Sequence, residues 1–237
     1  MMGRVLAADF LKLRRTMVWV LIFLGPFGVI ALEAVNFGLR YEYLTKTYAD
    51  DLWGGLLRNI QGMTVLAVLL GSALLTSMIA GYEHRTNAWK QLLALPVTRF
   101  SVFVSKFTLC TLLLIFSSTL LTLGSYMLGG VLGYGWHAPW AAIIQTSFYP
   151  MLAGLAVVAL QLWLSIMMKN QAIPITAGIL GTILGMVSYK LPDWILWKWP
   201  LLLNEKGSPE WSVLASAATA LLLTLLGVIH FTRKDVD

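Results

Sequence analysis

The sequence predicts an all-α integral membrane protein with six transmembrane helices, and three observations lead to this prediction. Of the 237 residues, 58% are hydrophobic and only 12% are charged, and the mean hydropathy is +0.77. In a soluble domain about 25% of residues are charged because the surface faces water, so this chain has too few charges to cover its core. Six long apolar stretches and ten tryptophans, a residue type enriched at membrane interfaces, complete the pattern.

A helix needs about 20 mostly apolar residues to cross a hydrocarbon layer of about 30 Å, and each of the six stretches is close to this length or longer. The six predicted spans are residues 17–38, 60–81, 107–130, 143–168, 172–189 and 211–232. The fifth is the shortest and contains Pro174, but it carries no charge. The first is too long for the apolar part of a signal peptide, so we interpret it as an uncleaved span. We predict no second domain, so that residues 1–237 form one membrane domain.

The distribution of Lys and Arg predicts the orientation, because cytoplasmic segments of membrane proteins carry an excess of these residues. With the N-terminus in the cytoplasm, the inner segments hold 11 of the 17 Lys and Arg residues and the outer segments hold six. Both termini are therefore predicted to be cytoplasmic. The excess of basic residues on the cytoplasmic side also explains the net charge of +6. Since the sequence has no dense basic cluster, we expect the lipid bilayer as a partner and no nucleic acid.

A basic amphipathic helix is predicted before the first span. Its apolar residues recur at helical spacing, at Val5, Leu6, Phe10 and Leu13. The basic residues among them are Arg4, Lys12, Arg14 and Arg15. Such a helix is suited to the headgroup layer. It serves either as an anchor for the first span or as a surface for a partner, since the same pattern fits both.

The predicted cytoplasmic loop between the second and third spans, residues 82–107, contains a second short amphipathic pattern. Its polar residues are Glu83, His84, Arg85, Thr86, Asn87, Lys90 and Gln91, and its apolar residues are Trp89, Leu92 and Leu93. Pro96 ends the predicted helix. The helix either floats on the membrane or docks its apolar stripe into a groove of a soluble partner.

This loop resembles a known motif. Its pattern is Glu83–x–x–Thr86, then Leu92–Leu93–x–x–Pro96–x–x–Arg99, then Lys106. It is similar to the first cytoplasmic loop of type-2 ATP-binding-cassette (ABC) exporter permeases, E-x-x-x-G-T-x-x-x-L-L-x-x-P-x-x-R…K, which forms the coupling helix on the ATPase subunit. The chain departs from the pattern by lacking the Gly before the Thr. Its length is similar to that of permeases of the lantibiotic-immunity and bacitracin-resistance group.

The resemblance implies a permease subunit that exports an amphipathic peptide, antibiotic or lipid-like substrate across a bacterial cell membrane and contributes to antibiotic resistance. It implies two permease chains, either two copies of this chain or this chain with a related one. ATP and Mg would be bound by a separate ABC ATPase subunit. The implied ATPase contacts are Glu83, His84, Arg85, Thr86, Asn87, Trp89, Lys90, Leu92, Leu93 and Pro96.

The outer segment before the last span, residues 190–211, is predicted to form short interfacial helices. Pro192, Pro200 and Pro209 divide it into pieces too short to span, and Trp194 and Trp197 favour the membrane interface. In the resembling family, short re-entrant helices at this place cover the translocation path. The alternative is an interfacial loop with no role in gating.

No catalytic residue, metal site or cofactor is predicted in this chain. It contains no G-x-x-x-x-G-K-[ST] P-loop, so ATP would have to be bound by another subunit. Its three histidines, His84, His137 and His230, lie far apart in the sequence. Two alternatives to a permease remain open, a membrane-embedded enzyme or maturation factor and a sensor or scaffold that docks another cytoplasmic partner.

Among the acidic residues, lysines, arginines and histidines, two fall inside the predicted spans, Glu33 and His230. A charge in hydrocarbon is costly, which makes such residues candidates for function. Glu33 and the nearby Asn36 are candidates for the substrate path, although Glu33 lies close enough to the outer end to reach headgroups or water. His230 lies beside Arg233 at the inner interface, and we interpret it as structural.

Overall fold

A computed structural model describes residues 2–86, 97–187 and 192–233. Of these residues 84% are helical, and they include no strand. The α-helices are α1 (Met2–Lys12), α2 (Val18–Leu39), α3 (Tyr41–Thr47), α4 (Leu52–Arg85), α5 (Arg99–Val131), α6 (Trp140–Ala153), α7 (Leu155–Met167), α8 (Ala172–Val187) and α9 (Pro209–Arg233). Two 3-10 helices complete the described ranges, η1 (Leu13–Arg15) and η2 (Leu196–Leu201).

Five helices are long and apolar enough to cross a membrane: α2, α4, α5, the nearly continuous pair α6–α7, and α9. They correspond to five of the six predicted spans. The remaining helix, α8, is apolar but has 16 described residues, about 24 Å at 1.5 Å per residue, which is less than the hydrocarbon thickness. The structure therefore confirms a helical multi-pass membrane protein, while the sixth span stays a prediction.

Helices α4 and α5 are longer than the spans predicted for them, 60–81 and 107–130. Helix α4 begins after Asp51, whose side chain accepts a hydrogen bond from the Gly54 amide at 2.8 Å. Helix α5 begins after Thr98, whose hydroxyl oxygen accepts a hydrogen bond from the Ser101 amide at 3.2 Å. The predicted loop at 82–107 was wrong in its boundaries, because hydropathy locates the apolar part of a helix and not the polar turns that continue it.

The two ends of the bundle can be told apart by which segments meet there. We call the end that carries α1 the α1 end, and the opposite end the far end. At the α1 end, the Arg99 guanidinium at the start of α5 donates to the Phe231 carbonyl oxygen in the last turn of α9 at 2.8 Å. At the far end, the Trp53 indole of α4 donates to the Tyr134 carbonyl oxygen at 3.1 Å. Helix α1 and the last turn of α9 thus lie at the same end of the bundle.

Helix α4 is the centre of the bundle, since it contacts α2, α5, α6, α7, α8 and η2. Its contact with α8 is especially close, because a side chain at Gly178 would overlap Ala73. Small residues at such crossings are typical of helix pairs in membranes, where close van der Waals packing replaces the hydrophobic effect as the force of association. The close crossing fixes α8 against α4 although α8 itself is short.

The segment between α8 and α9 folds back into the bundle at the far end. Leu196 and Trp197 of η2 pack against Val65 and Leu69 of α4, and the Trp197 indole fills the space beside Gly181. An ion pair of 2.8 Å between Lys198 and Asp193 holds the turn. The described part of this segment thus contains one short helix, η2, which packs against other helices, and its position at the membrane interface stays a prediction.

Candidate functional site

Four charged side chains meet at the α1 end, and we call them the charge cluster: Asp9 and Lys12 of α1, Glu83 of α4, and Lys106 of α5. The Glu83 Oε1 atom accepts hydrogen bonds from Lys12 Nζ at 2.8 Å and from Lys106 Nζ at 3.0 Å. The Asp9 Oδ1 atom lies 3.5 Å from Lys106 Nζ and 3.6 Å from Lys12 Nζ. Each ammonium therefore contacts both carboxylates.

The cluster is almost fully buried. Asp9 is 3% exposed, while Glu83 and Lys106 are each 1% exposed. Removing charges from water is costly unless they are paired with good geometry. Two acids and two bases make the cluster electrically neutral, and the Ser105 hydroxyl adds a hydrogen bond of 3.4 Å to Asp9 Oδ2. The neutral arrangement explains how four charges remain inside an apolar bundle.

Three helices bring the cluster together. Asp9 lies on the buried face of α1 between Val5 and Leu13, at the spacing of four residues that places side chains on one side of a helix. Glu83 is in the last turn of α4, and Lys106 is two turns into α5. Helix α1 thus presents its acidic and basic side chains to the ends of α4 and α5 instead of lying only on the headgroup layer.

The Lys12 side chain is the one member with access to solvent, at 30% exposed. Burial lowers the pKa of Lys12, but the hydrogen bond to Glu83 and the attraction of Glu83 and Asp9 raise it, so that the pKa lies above its ordinary value. Lys12 is therefore charged throughout the physiological pH range. Glu83 Oε2 is buried and makes no hydrogen bond within the described residues.

The other residues predicted near Glu83 divide into two groups. His84 turns into the bundle, where Nε2 lies 3.2 Å from the Ser165 carbonyl oxygen in α7, whereas Arg85 and Thr86 are exposed. The predicted contact residues Asn87, Trp89, Lys90, Leu92, Leu93 and Pro96 lie outside the described residues.

The turn between α7 and α8 is fixed at the same end. The Gln171 side chain donates to the carbonyl oxygens of Ser165 and Met168, at 3.0 and 2.7 Å, and accepts from the Ser77 hydroxyl of α4 at 2.9 Å. With His84, these bonds attach α7 and α8 to the last two turns of α4. Helices α1, α5, α7 and α8 are thus all joined to the end of α4.

The residues predicted for the interfacial helix, α1, divide between the protein surface and the interior of the bundle. Arg4 and Arg14 are exposed, Lys12 belongs to the charge cluster, and Arg15 lies in η1. Phe10 is half exposed and makes an edge contact with the Trp19 ring, with centroids 5.8 Å apart. Asp9 was not predicted as a site residue. The sequence feature that could have identified it is an acidic residue in an otherwise basic segment. It lies three residues before Lys12 and on the same helix face as Val5 and Leu13.

Glu33 and Asn36 lie apart from the charge cluster, towards the far end of α2. Glu33 is 2% exposed and its Oε2 atom accepts a hydrogen bond from Asn36 Nδ2 at 3.0 Å. The side chain lies on the buried face of α2 between Val29 and Phe37. Glu33 therefore faces the other helices, which speaks against the alternative that it reaches headgroups or water, and its place in the substrate path stays a prediction.

Within the described residues no group of three or more His, Cys, Asp or Glu is arranged to hold a metal ion. The cluster has the chemistry of a structural link: opposite charges that fix three helix ends relative to one another. It joins the two helices that flank residues 86–98.

The apolar helices and this buried link define a multi-pass membrane protein whose bundle is tied together at one end. Residues 5–185 match the family model described as ABC-2 family transporter protein. Since the match covers more than half of the chain, the protein belongs to the ABC-2 transporter family, which identifies it as a membrane subunit for transport. The match includes all four residues of the charge cluster. No curated protein matches the chain.

Proposed function

We propose that this chain is the permease subunit of an ABC exporter driven by ATP hydrolysis in a separate ATPase subunit. Membership of the ABC-2 family supports the proposal, as does the lack of a P-loop in the sequence. ATP and Mg would be bound by the ATPase, and two permease chains, identical or related, would form the membrane part. The proposed substrate is an amphipathic peptide, antibiotic or lipid-like molecule, as in the lantibiotic-immunity and bacitracin-resistance group.

The observation that supports this function best is the position of the charge cluster. It connects α1, α4 and α5 beside the end of α4 and the start of α5, the two helices that flank residues 86–98. A partner that pushes on this segment would move the ends of α4 and α5 together, because Lys106 and Glu83 are bonded at 3.0 Å. Helix α1 would follow through Lys12. The proposed contacts in residues 87–96 would thus transmit force to three helices at once.

The α1 end would face the cytoplasm of a bacterial cell. Arg4, Arg14, Arg85 and Lys169 are exposed at this end, in agreement with the excess of basic residues on cytoplasmic surfaces. An ATPase that binds the segment after α4 would then lie in the compartment that contains ATP. This orientation places η2 at the outer surface.

A cavity at the far end fits an outlet for substrate in this scheme. It has a volume of about 360 Å³ and lies between α4, α6 and the segment after η2, where Arg58, Gln61, Gln145 and Thr146 supply polar groups. Leu201 and Leu202 form part of its wall. Movement of η2 away from α4 would widen this cavity, so we assign η2 the role of a cover over the path.

Co-purification with an ATPase tests the proposal. The chain would be co-expressed with the ABC ATPases of its source organism, and the double substitution Leu92→Asp and Leu93→Asp should abolish the complex by removing the apolar stripe that we assign to the contact. Trp194→Asp is the matched control, because Trp194 is 75% exposed at the far end. An intact complex with the double variant would show that the assigned contact is wrong.

A further inference from the structure

An apolar cavity of about 180 Å³ lies inside the spans, between α2, α4 and α5, with Met151 of α6 in its wall. It is separate from the charge cluster and from the far-end cavity, since the three share no residue. On α2 its wall includes Gly25 and Pro26, and on α4 it includes Gly71. Because Gly25 and Gly71 have only a hydrogen atom in place of a side chain, this space stays open.

The wall offers little to a polar ligand. Most of its side chains are aliphatic, and of its three hydroxyls, on Thr64, Ser117 and Ser118, the first two donate hydrogen bonds within the protein. The Thr64 hydroxyl donates to the Ile60 carbonyl oxygen at 2.7 Å, and the Ser117 hydroxyl donates to the Ile22 carbonyl oxygen at 3.2 Å. A polar molecule would lose hydrogen bonds to water on entering, whereas a hydrocarbon would lose none. The chemistry of the wall therefore selects a hydrocarbon.

The cavity opens sideways to the surface that the helices turn to lipid. Leu24 and Leu74 line it and are 60% and 38% exposed, while Leu75 and Met151 behind them are completely buried. Both exposed residues lie within helices that are long and apolar enough to span the membrane. The molecule that reaches this opening comes from the hydrocarbon layer itself.

We propose that this cavity, the lateral pocket, binds the end of one acyl chain of a bilayer phospholipid. Its volume is similar to that of an engineered apolar cavity of about 150 Å³ that takes up benzene. It is therefore large enough for a short length of one chain and too small for a whole lipid. The inference concerns binding alone and does not depend on the proposed export function.

Photochemical labelling tests this site. The purified full-length chain would be placed in nanodiscs of phosphatidylcholine that carries a diazirine near the end of one acyl chain, irradiated, digested and analysed by mass spectrometry. The labels should concentrate on residues 21–29 and 70–75. Leu221 and Leu225 of α9 are 67% and 52% exposed, and they serve as the reference for ordinary lipid contact.

Filling the pocket should remove the labels. A Cβ atom at Gly71 would meet nothing within 4 Å, so that Gly71→Leu places its side chain in the pocket without an overlap at the backbone. Labelling of residues 21–29 should fall about tenfold, the effect of expelling roughly two methylene groups. Gly62→Leu is the matched control, because Gly62 is also in α4 with open space around it and does not line the pocket.

Two results would overturn the inference: labelling of the pocket no greater than labelling of α9, or an equal loss of labelling in both glycine variants. Leu74→Ala gives a second test if Gly71→Leu does not fold. It widens the opening, so that labelling of residues 21–29 should rise about fourfold, the effect of room for one more methylene group. Unchanged labelling in Leu74→Ala would also overturn it.

Discussion

The hydroxyl of Ser117 in α5 donates a hydrogen bond of 3.2 Å to the carbonyl oxygen of Ile22 in α2. That carbonyl lies four residues before Pro26, which has no N–H to donate to it. In hydrocarbon a free carbonyl finds no water, and a side chain from a neighbouring helix can take the place of the missing donor. Ser117 thus allows a proline inside α2 and fixes α5 beside it.

Ser117→Ala should therefore destabilise the protein by about 1 kcal/mol, within the range measured for hydrogen bonds between membrane helices. In the background of Pro26→Ala the same substitution should cost much less, because the new backbone N–H can satisfy Ile22. The measurement is the free energy of unfolding of the full chain in mixed micelles, arranged as a double-mutant cycle. Thr119→Ala is the control, since Thr119 is exposed and bonds to its own helix. Strictly additive effects of Ser117→Ala and Pro26→Ala would contradict the explanation.

The charge cluster predicts a larger and strongly coupled effect. In Lys106→Met the two buried carboxylates of Asp9 and Glu83 have only one ammonium group, that of Lys12, to balance them. Because removing one partner of a buried ion pair destabilises a protein by about 3–5 kcal/mol, we expect a loss of stability of this size. Lys12→Met should cost less, because the Lys12 side chain is 30% exposed and water screens its charge.

The double variant Glu83→Gln with Lys106→Met restores neutrality. It should be more stable than Lys106→Met alone, which thermal unfolding of the purified full chain can measure. If the two single effects simply add, the cluster does not act as one unit. A cost for Lys12→Met equal to that for Lys106→Met would mean that solvent does not reach the cluster through Lys12.

Packing of η2 into the bundle depends on Gly181. A methyl group there would overlap the Trp197 indole, and the Trp197 backbone is held by its neighbours in η2. Gly181→Ala should lower stability by about 1–3 kcal/mol, as for other overpacked sites, and displace η2. Limited trypsin digestion reports this, since Lys198 is buried in the native protein. Cleavage after Lys198 should accelerate in Gly181→Ala but not in the control Gly28→Ala, where a Cβ atom meets nothing. Equal cleavage rates would show that Trp197 does not hold η2 in place.

Composition and hydropathy were sufficient to predict the membrane class and five of the helices, because a spanning helix has to be apolar over about 20 residues whatever its neighbours are. The same signal misses polar turns that continue a helix, so Glu83 was predicted in a loop although it lies in α4. Hydropathy also predicted η2 at the interface because of its tryptophans. Trp197 instead packs beside Gly181 of another helix, which is a tertiary contact that no local pattern contains.

The candidate site was predictable only in part. Lys12 and Glu83 were selected for separate reasons, as a basic anchor and as a motif residue, and the sequence gives no direct sign that they touch across 71 positions. Asp9 was missed because one acid in a basic amphipathic segment is normally exposed. Pairing between Asp9 and Lys106 depends on how α1 packs against α5, so it required the three-dimensional structure.

The orientation of the bundle can be measured with single cysteines. The native Cys110 is completely buried, so a membrane-impermeant maleimide should leave it unlabelled. Arg4→Cys at the α1 end and Trp194→Cys at the far end introduce thiols at exposed positions. In intact cells Trp194→Cys should react and Arg4→Cys should react only after the membrane is opened, because the excess of basic residues places the α1 end inside. The reverse pattern would invert the orientation and with it the proposed ATPase contact, and labelling of both sites in intact cells would exclude a bundle whose two ends face opposite compartments.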